Sequence, residues 1–202
     1  MTKQEFASRL QNACAAVTAA EQELTEIDSR FGDADHGLTM SKIAKAISAA
    51  AGESEGGIQA MLDDAAMAVM VLNGGSAVPL WNTWLDGLQE EAPEGNEIDT
   101  AGIQAIFAKA LKALSDMSGA KVGDKTMMDA VIPASAAIAA YPGESEAELF
   151  TLAAQAAEEG AENSKNFVSK FGRAKSYGAR TIGTPDAGAV SLACFFHGLA
   201  KD

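Results

Sequence analysis

The chain has 202 residues, enough for one domain or two small ones with a full core. Its hydrophobic fraction of 48% excludes intrinsic disorder, and abundant Ala with only five Pro favours helices, because Ala loses no side-chain entropy on entering one. A formal net charge of −13 argues against nucleic acid or an anionic membrane surface as partner.

No apolar signal region follows Met1, and the longest unbroken apolar run, Ala65 to Leu72, is far too short to span a bilayer. Cys14 and Cys194 both sit in apolar helical contexts, where thiols pack as small hydrophobes, so a reducing cytoplasm is expected.

Thr2-Lys3-Gln4-Glu5 reads as a capping box, and Phe6, Leu10, Cys14, Val17, Leu24 and Ile27 follow near helical period, predicting a first helix to about Ile27. A second is expected from Thr39 to Ala51, with Met40, Ile43 and Ile47 inward and Gly52 to Gly57 as its break. The third carries Ile58, Met61, Leu62, Ala65 and Val69 and stops at Asn73-Gly74-Gly75. Pro79 lies near the start of a fourth with Trp84, Leu85 and Leu88, followed by an acidic linker from Glu90 to Glu97. Asp99 or Thr100 caps a fifth helix. The sixth spans Thr126 to Ala140 with a break or kink at Pro133. Ser145 and Glu148 form a second capping box for a long seventh helix to about Phe171, and the eighth runs from after Pro185 to Leu199. No stretch alternates with period 2 as a strand does, and no repeat of fixed length appears, so a single all-α domain is expected over 1–202.

The chemistry concentrates between these helices. Asp28, Asp33, Asp35 and His36 fall within ten residues, with Gly32 and Gly37 permitting tight turns. Clustered carboxylates suit Mg²⁺, a hard ion that takes its further ligands from water and phosphate oxygens; the alternative is a polar turn with capping aspartates. Calcium-loop chemistry is rejected, because Gly37 comes one place early and Ala44 stands where the bidentate Glu belongs. Asn73-Gly74-Gly75-Ser76-Ala77 offers free N–H groups at a helix start, of the kind that wrap phosphate. Gly123-Asp124-Lys125-Thr126 resembles the end of a P-loop but fails as one: Asp124 separates Gly from Lys, and no strand precedes it. Arg173 and Arg180 stand in a glycine-punctuated segment from Gly172 to Gly188, where a guanidinium can pair with phosphate. His197, Trp81, Trp84 and Met128 read as packing or surface residues. Met127 too reads first as core, though it and Met128 each follow a polar loop, from which one of the two can line an adenine pocket.

Four blocks taken together, Gly32-Asp-Ala-Asp-His-Gly37, Gly74-Gly75 to Pro79-Leu80, Gly123-Asp-Lys-Thr-Met127, and Gly172-Arg-Ala with Arg180 to Gly183 and Asp186-Ala-Gly188, carry a family likeness. In order and spacing, along nearly the whole chain, they resemble the nucleotide-binding L subunit of dihydroxyacetone kinases, equivalent to the C-terminal domain of the single-chain enzymes. The resemblance implies a barrel of eight antiparallel amphipathic helices with the nucleotide among the interhelix loops at one end. It implies two Mg²⁺ ions on Asp28, Asp33 and Asp35. It implies ADP or ATP held by His36, Gly37, Leu38 and Thr39, by Ser76 and Ala77, by Gly119 and Met127, by Arg173 on phosphate, and by Asp186, Ala187 and Gly188. The implied partner is a K subunit that holds a short ketose as a covalent hemiaminal on its own histidine. The donor is either exchangeable ATP or a retained ADP coenzyme rephosphorylated by a phosphotransferase-system M subunit.

The phosphate loop departs from the family pattern, Gly-Gly-Thr/Ala-Ser-Gly-Pro, where this chain has Gly74-Gly75-Ser76-Ala77-Val78-Pro79. Val78 replaces a flexible glycine, and a β-branched residue resists positive φ and can crowd a phosphate oxygen. Ser76 is the substitute donor. The expected function is the phosphoryl-donor subunit of a kinase for dihydroxyacetone or a related ketose or tetrulose. The alternative is a non-catalytic regulator binding ADP and Mg²⁺, and the altered loop is its only support.

Overall fold

A computed structural model of the chain describes residues 1–201. Among them are nine α-helices and no named strand: α1 (Lys3–Ala19), α2 (Glu21–Ser29), α3 (His36–Glu53), α4 (Ile58–Met70), α5 (Ala77–Glu90), α6 (Thr100–Ser118), α7 (Met128–Ala140), α8 (Glu146–Asn163) and α9 (Ala187–Leu199). Short 3-10 segments occupy Ser164–Asn166 and Arg173–Thr181. The all-α expectation holds. The expected first helix is divided at Ala20, which ends α1 and begins α2 with ψ near 3°, so eight sequence helices become nine.

Each helix packs on its neighbours in the chain, α1 on α3 and so on round to α8 on α9, and α9 returns to α1. The helices thus form a closed ring. Gly198 makes the closing seam possible: a Cβ there would lie 2.2 Å from Ala13 Cα, so only a bare backbone lets α9 approach α1 this closely. Arg9, itself buried, donates from Nη1 to Leu199 O at 2.8 Å across the same seam. The interior is filled by Trp81, Trp84, Phe107, Phe195 and Phe196, all at most 1% exposed, in edge-to-face contacts such as Trp81–Phe195 at 5.2 Å between centroids. Each such contact is worth about 0.5–1.5 kcal/mol beyond area burial.

Several expected boundaries hold and others move. Thr2 and Glu5 form the reciprocal capping box, and Asp99 caps α6 through Gly102 N–H. Ser145 caps α8, but the Glu148 carboxylate accepts from Tyr141 OH at 2.6 Å, so only half of that box is made. Helix α7 runs through Pro133 without ending. Helix α3 starts at His36, a turn before the expected Thr39. The seventh predicted helix ends at Asn163, well short of Phe171; the chain becomes extended at Phe167, and both Val168 and Phe171 stay largely exposed.

The connections alternate between the two ends of the ring. Residues 30–35, 71–76, 119–127 and 164–186 lie at one end, while 54–57, 91–99 and 141–145 lie at the other. At that other end backbone hydrogen bonds tie the connections together: Ile58 N–H to Gly95 O, Gln59 N–H to Pro93 O and Lys3 N–H to Asn96 O, at 2.9, 3.0 and 2.7 Å.

Candidate functional site

The first of the four clustered loops is shaped around Asp28, on the last turn of α2. Its Oδ2 accepts from the N–H groups of Asp35 at 3.2 Å and His36 at 3.4 Å, folding the loop back over the helix end. Gly32 is pinned by its N–H to Asp28 O at 2.6 Å, and a Cβ at that position would fall 1.9 Å from Asp28 Oδ1. Ala34 takes φ 60, turning the chain back toward α3. The result is that one carboxylate oxygen each of Asp28, Asp33 and Asp35 lie within 4.8 Å of one another. Burial, and then the like charges of Asp33 and Asp28, push the Asp35 carboxyl above its ordinary range, with Arg173 pulling the other way. Arg173 reaches across from the 164–186 loop to Asp33, Nη1 to Oδ2 at 2.9 Å. Three converging carboxylates that repel one another, with hard oxygen donors facing a cavity, fit a divalent cation such as Mg²⁺.

The carboxylates stand at the edge of a cavity of about 480 Å³ whose walls come from all four loops at this end, a volume in the range of small-ligand sites. The starts of α3, α5 and α9 contribute His36, Ala77 and Ala187 to the wall. Helix N-termini carry unpaired N–H groups and a partial positive charge, so these three starts favour an anion in a protein that is otherwise strongly acidic. The other side of the cavity is apolar, with Leu80, Trp81, Met117 and Met127. Asp186 caps α9, its Oδ2 accepting from Ala189 N–H at 2.8 Å. Burial pushes its carboxyl up to about 7, and Asp129 adds to that, while Lys125 and the Ala189 and Gly188 N–H groups oppose it. Burial also holds the His36 imidazole below its ordinary range, and its Nε2 lies 3.3 Å from Ser191 Oγ.

Asp28, Asp33, Asp35, His36, Thr39, Ser76, Ala77, Met127, Arg173, Asp186, Ala187 and Gly188 all line this cavity. Three residues expected beside them do not. Gly37 is buried, and a Cβ on it would lie 2.0 Å from Glu21 O, so it serves the close approach of α3 to α2. Leu38 projects outward, 51% exposed. Gly119 ends α6 in the left-handed conformation, φ 65, which is a helix-capping role. Val78 is buried at 6% within the first turn of α5, and its Cγ2 lies over Gly74. Its φ is not positive, and it is not among the residues that line the cavity. Ser76, one residue before α5, makes no capping bond and stays exposed toward the cavity.

Sequence reasoning did not anticipate Phe31, Lys125, Phe171 and Thr184 in the lining, nor that core Trp81 also floors the cavity. Phe31 stacks edge-on against Tyr177 at 5.2 Å, and Arg180 lies over the Tyr177 ring at 5.4 Å, so Arg180 spends its face on an aromatic ring. Lys125 carried a readable signal, a Gly-Asp-Lys turn, but the failed P-loop comparison concealed it.

A family model described as the DAK2 domain matches residues 30–201. Among curated proteins, D-erythrulose kinase of Mycolicibacterium smegmatis is 37% identical over 183 residues, 88% of this chain and 32% of that protein. L-erythrulose kinase of Pectobacterium atrosepticum is 35% identical, across 93% of this chain and 32% of its own length. The PEP-dependent dihydroxyacetone kinase 2, ADP-binding subunit DhaL, of Listeria innocua is 27% identical over 92% of this chain and 88% of its own. The chain spans about a third of the length of the two erythrulose kinases, but nearly all of that subunit. Among solved structures, the dihydroxyacetone kinase from C. freundii in complex with AMP-PNP and Mg²⁺ shares the fold with a TM-score of 0.74, at 24% identity over 96% of this chain and 33% of that one. With a family model covering most of its length, this chain belongs to the DAK2-domain family, and it is similar over nearly its whole length to the ADP-binding L subunit of a dihydroxyacetone kinase.

Proposed function

We propose that this chain is the nucleotide-binding, phosphoryl-donor subunit of a dihydroxyacetone-type kinase, acting on a short ketose or tetrulose held by a partner K subunit. The observation that carries the reading is the junction at one end of the ring: three mutually repelling carboxylates, three helix starts and an apolar wall share one cavity. Mg²⁺, held by Asp28, Asp33 and Asp35, would neutralise phosphate charge there. The start of α5, where Ser76 makes no capping bond, would offer the Ala77 N–H and Ser76 Oγ to phosphate oxygens, whereas the starts of α3 and α9 already give N–H groups to Asp28 and Asp186. Arg173, now paired with Asp33, would add a guanidinium for a phosphate oxygen. Met117, Met127 and Leu80 offer the dry surface that a purine base needs. With little covalent work for the protein in phosphoryl transfer, positioning and charge neutralisation are what these residues contribute.

Exposed apolar side chains at this end, Met117 in the last turn of α6 and Val122, Phe171 and Ile182 on the loops, are 41–55% exposed and support a partner covering the cavity mouth. The donor is exchangeable ATP or a retained ADP coenzyme rephosphorylated by an M subunit. The alternative, a regulatory paralogue that binds ADP and Mg²⁺ without transferring phosphate, rests on the altered phosphate loop alone, where Val78 is buried.

The test uses the purified full chain, assayed first for ADP released on heating, then with the cognate K subunit, dihydroxyacetone or erythrulose, and ATP. Turnover with free ATP supports the first donor scheme; activity only with phosphotransferase components supports the second. Nucleotide binding without turnover in either system would sink the catalytic reading. Changing Asp33 and Asp35 together to Ala is expected to abolish Mg²⁺-dependent nucleotide binding and leave the helical circular dichroism intact.

A further inference from the structure

We infer that Lys125 is a positioning residue of this cavity, its ammonium fastening the end of α8 and the turn before α9 to the loop that presents Met127; the inference rests on the nucleotide-binding reading above. The side chain is 4% exposed, and its Nζ donates to two main-chain carbonyls from different segments, Ser164 O at 2.6 Å and Thr184 O. Ser164 is itself fully buried and takes part in the same knot: its Oγ accepts from Asp186 N–H at 2.8 Å and donates to Ala161 O at 2.6 Å. One lysine and one serine therefore set where the Asp186–Gly188 turn lies.

The knot is held from the other side as well. Lys125 has φ 60, a conformation that L side chains rarely adopt. The buried Asp129 stabilises the turn around it, its two carboxylate oxygens accepting from Gly123 N–H at 2.6 Å and Thr126 N–H at 2.7 Å. Thr126, Met127, Thr184 and Asp186 all face the cavity, so a shift of the ammonium would move two of its walls together. With two of its protons committed to carbonyls, this lysine shapes the pocket, unlike the phosphate-gripping lysine of a P-loop.

Charge explains why an ammonium stands here. Burial holds the lysine's proton affinity below its ordinary value, and Asp186 and Asp129 offset part of that loss. The charged groups felt by Asp186 are the same pair seen in reverse: Asp129 on α7 pushes its carboxyl up and Lys125 pulls it down. Its remaining partners are uncharged, the N–H groups of Gly188 and Ala189 on α9 and the Ser164 hydroxyl.

The experiment compares the unaltered chain with Lys125→Met and Ser164→Ala, measuring ADP affinity by calorimetry at saturating Mg²⁺ and the Asp186 titration by carboxyl-carbon NMR without ligand. Lys125→Met removes the donor to Thr184 O and one of the two donors to Ser164 O, leaving the latter only Phe167 N–H, and is expected to weaken ADP roughly 10- to 100-fold. The Asp186 midpoint should move upward in the same variant, a shift that general loosening does not produce. Unchanged ADP affinity with an unmoved midpoint overturns the inference. If the unaltered chain takes up no ADP, the nucleotide reading falls; the midpoint, which needs no ligand, still decides whether Lys125 governs this turn. Should Lys125→Met fail to fold, Ser164→Ala keeps the ammonium and removes the acceptor for Asp186 N–H. It is expected to cost roughly 3- to 10-fold in ADP affinity, and equal affinity counts against the proposal.

Discussion

Asp186 gives the molecule a pH response that can be signed. Burial pushes its carboxyl up to about 7, well above the ordinary 3.8. The native state therefore binds a proton that the unfolded chain releases between these values, and this contribution to stability is present at low pH and lost as pH rises through about 7. Asp186→Asn, which keeps an acceptor for Ala189 N–H but cannot titrate, is expected to flatten the pH dependence of urea midpoints across that window. A second prediction concerns Gly32. An added methyl would meet Asp28 Oδ1 at 1.9 Å, so Gly32→Ala must displace that carboxylate. Mn²⁺ titration is expected to show about 10-fold weaker binding, the scale of a disturbed ligand-supporting residue, with circular dichroism unchanged. The aspartates were legible in the sequence because carboxylates crowded between glycines have few structural uses. The packing role of Gly37 and the capping role of Gly119 were not legible, because a glycine required for close helix approach or for a left-handed cap has the same letter as one beside a ligand.

Apolar period made almost every helix legible, since the ring buries one stripe of each. Where reading failed, a tertiary contact decided the boundary. Helix α8 ends at Asn163 in a 3-10 turn over Ser164–Asn166, whose first carbonyl accepts from Lys125 and whose Ser164 hydroxyl accepts from Asp186 N–H, and the chain becomes extended at Phe167. Nothing local announces this, and Val168 and Phe171 continued an apolar pattern that the fold leaves exposed. The seam between α9 and α1 was equally silent, resting on the absence of a side chain at Gly198. Gly198→Ala would place a methyl 2.2 Å from Ala13 Cα and force the two helices apart. A loss of about 1–3 kcal/mol in unfolding free energy is expected, the usual cost of overpacking. Denaturant unfolding measures it; a midpoint unchanged from the parent would mean that the ring closes by other contacts.

Across the whole molecule the two ends differ in how they are held. Backbone bonds such as Ile58 N–H to Gly95 O lace one end, whereas the 30–35 loop reaches its neighbours at the cavity end through side chains, Arg173 to Asp33 and Phe31 to Tyr177. Amide exchange should follow that division. Adding ADP and Mg²⁺ is expected to slow exchange at least about 10-fold in residues 30–36 and 73–78 while leaving 93–98 unchanged. Uniform protection along the chain would show that the ends are not independent. The net charge of −13 adds an expectation of its own: raising NaCl from low to moderate concentration should increase the melting temperature by screening self-repulsion.

Alternating connections have a consequence for how such a scaffold can diversify. With every second linker facing the same way, a stretch as irregular as residues 164–186 can be rewritten without disturbing the staves it joins. The architecture resembles a cask with a fixed base and a refittable lid: new donors or new docking partners need edits only at the open rim.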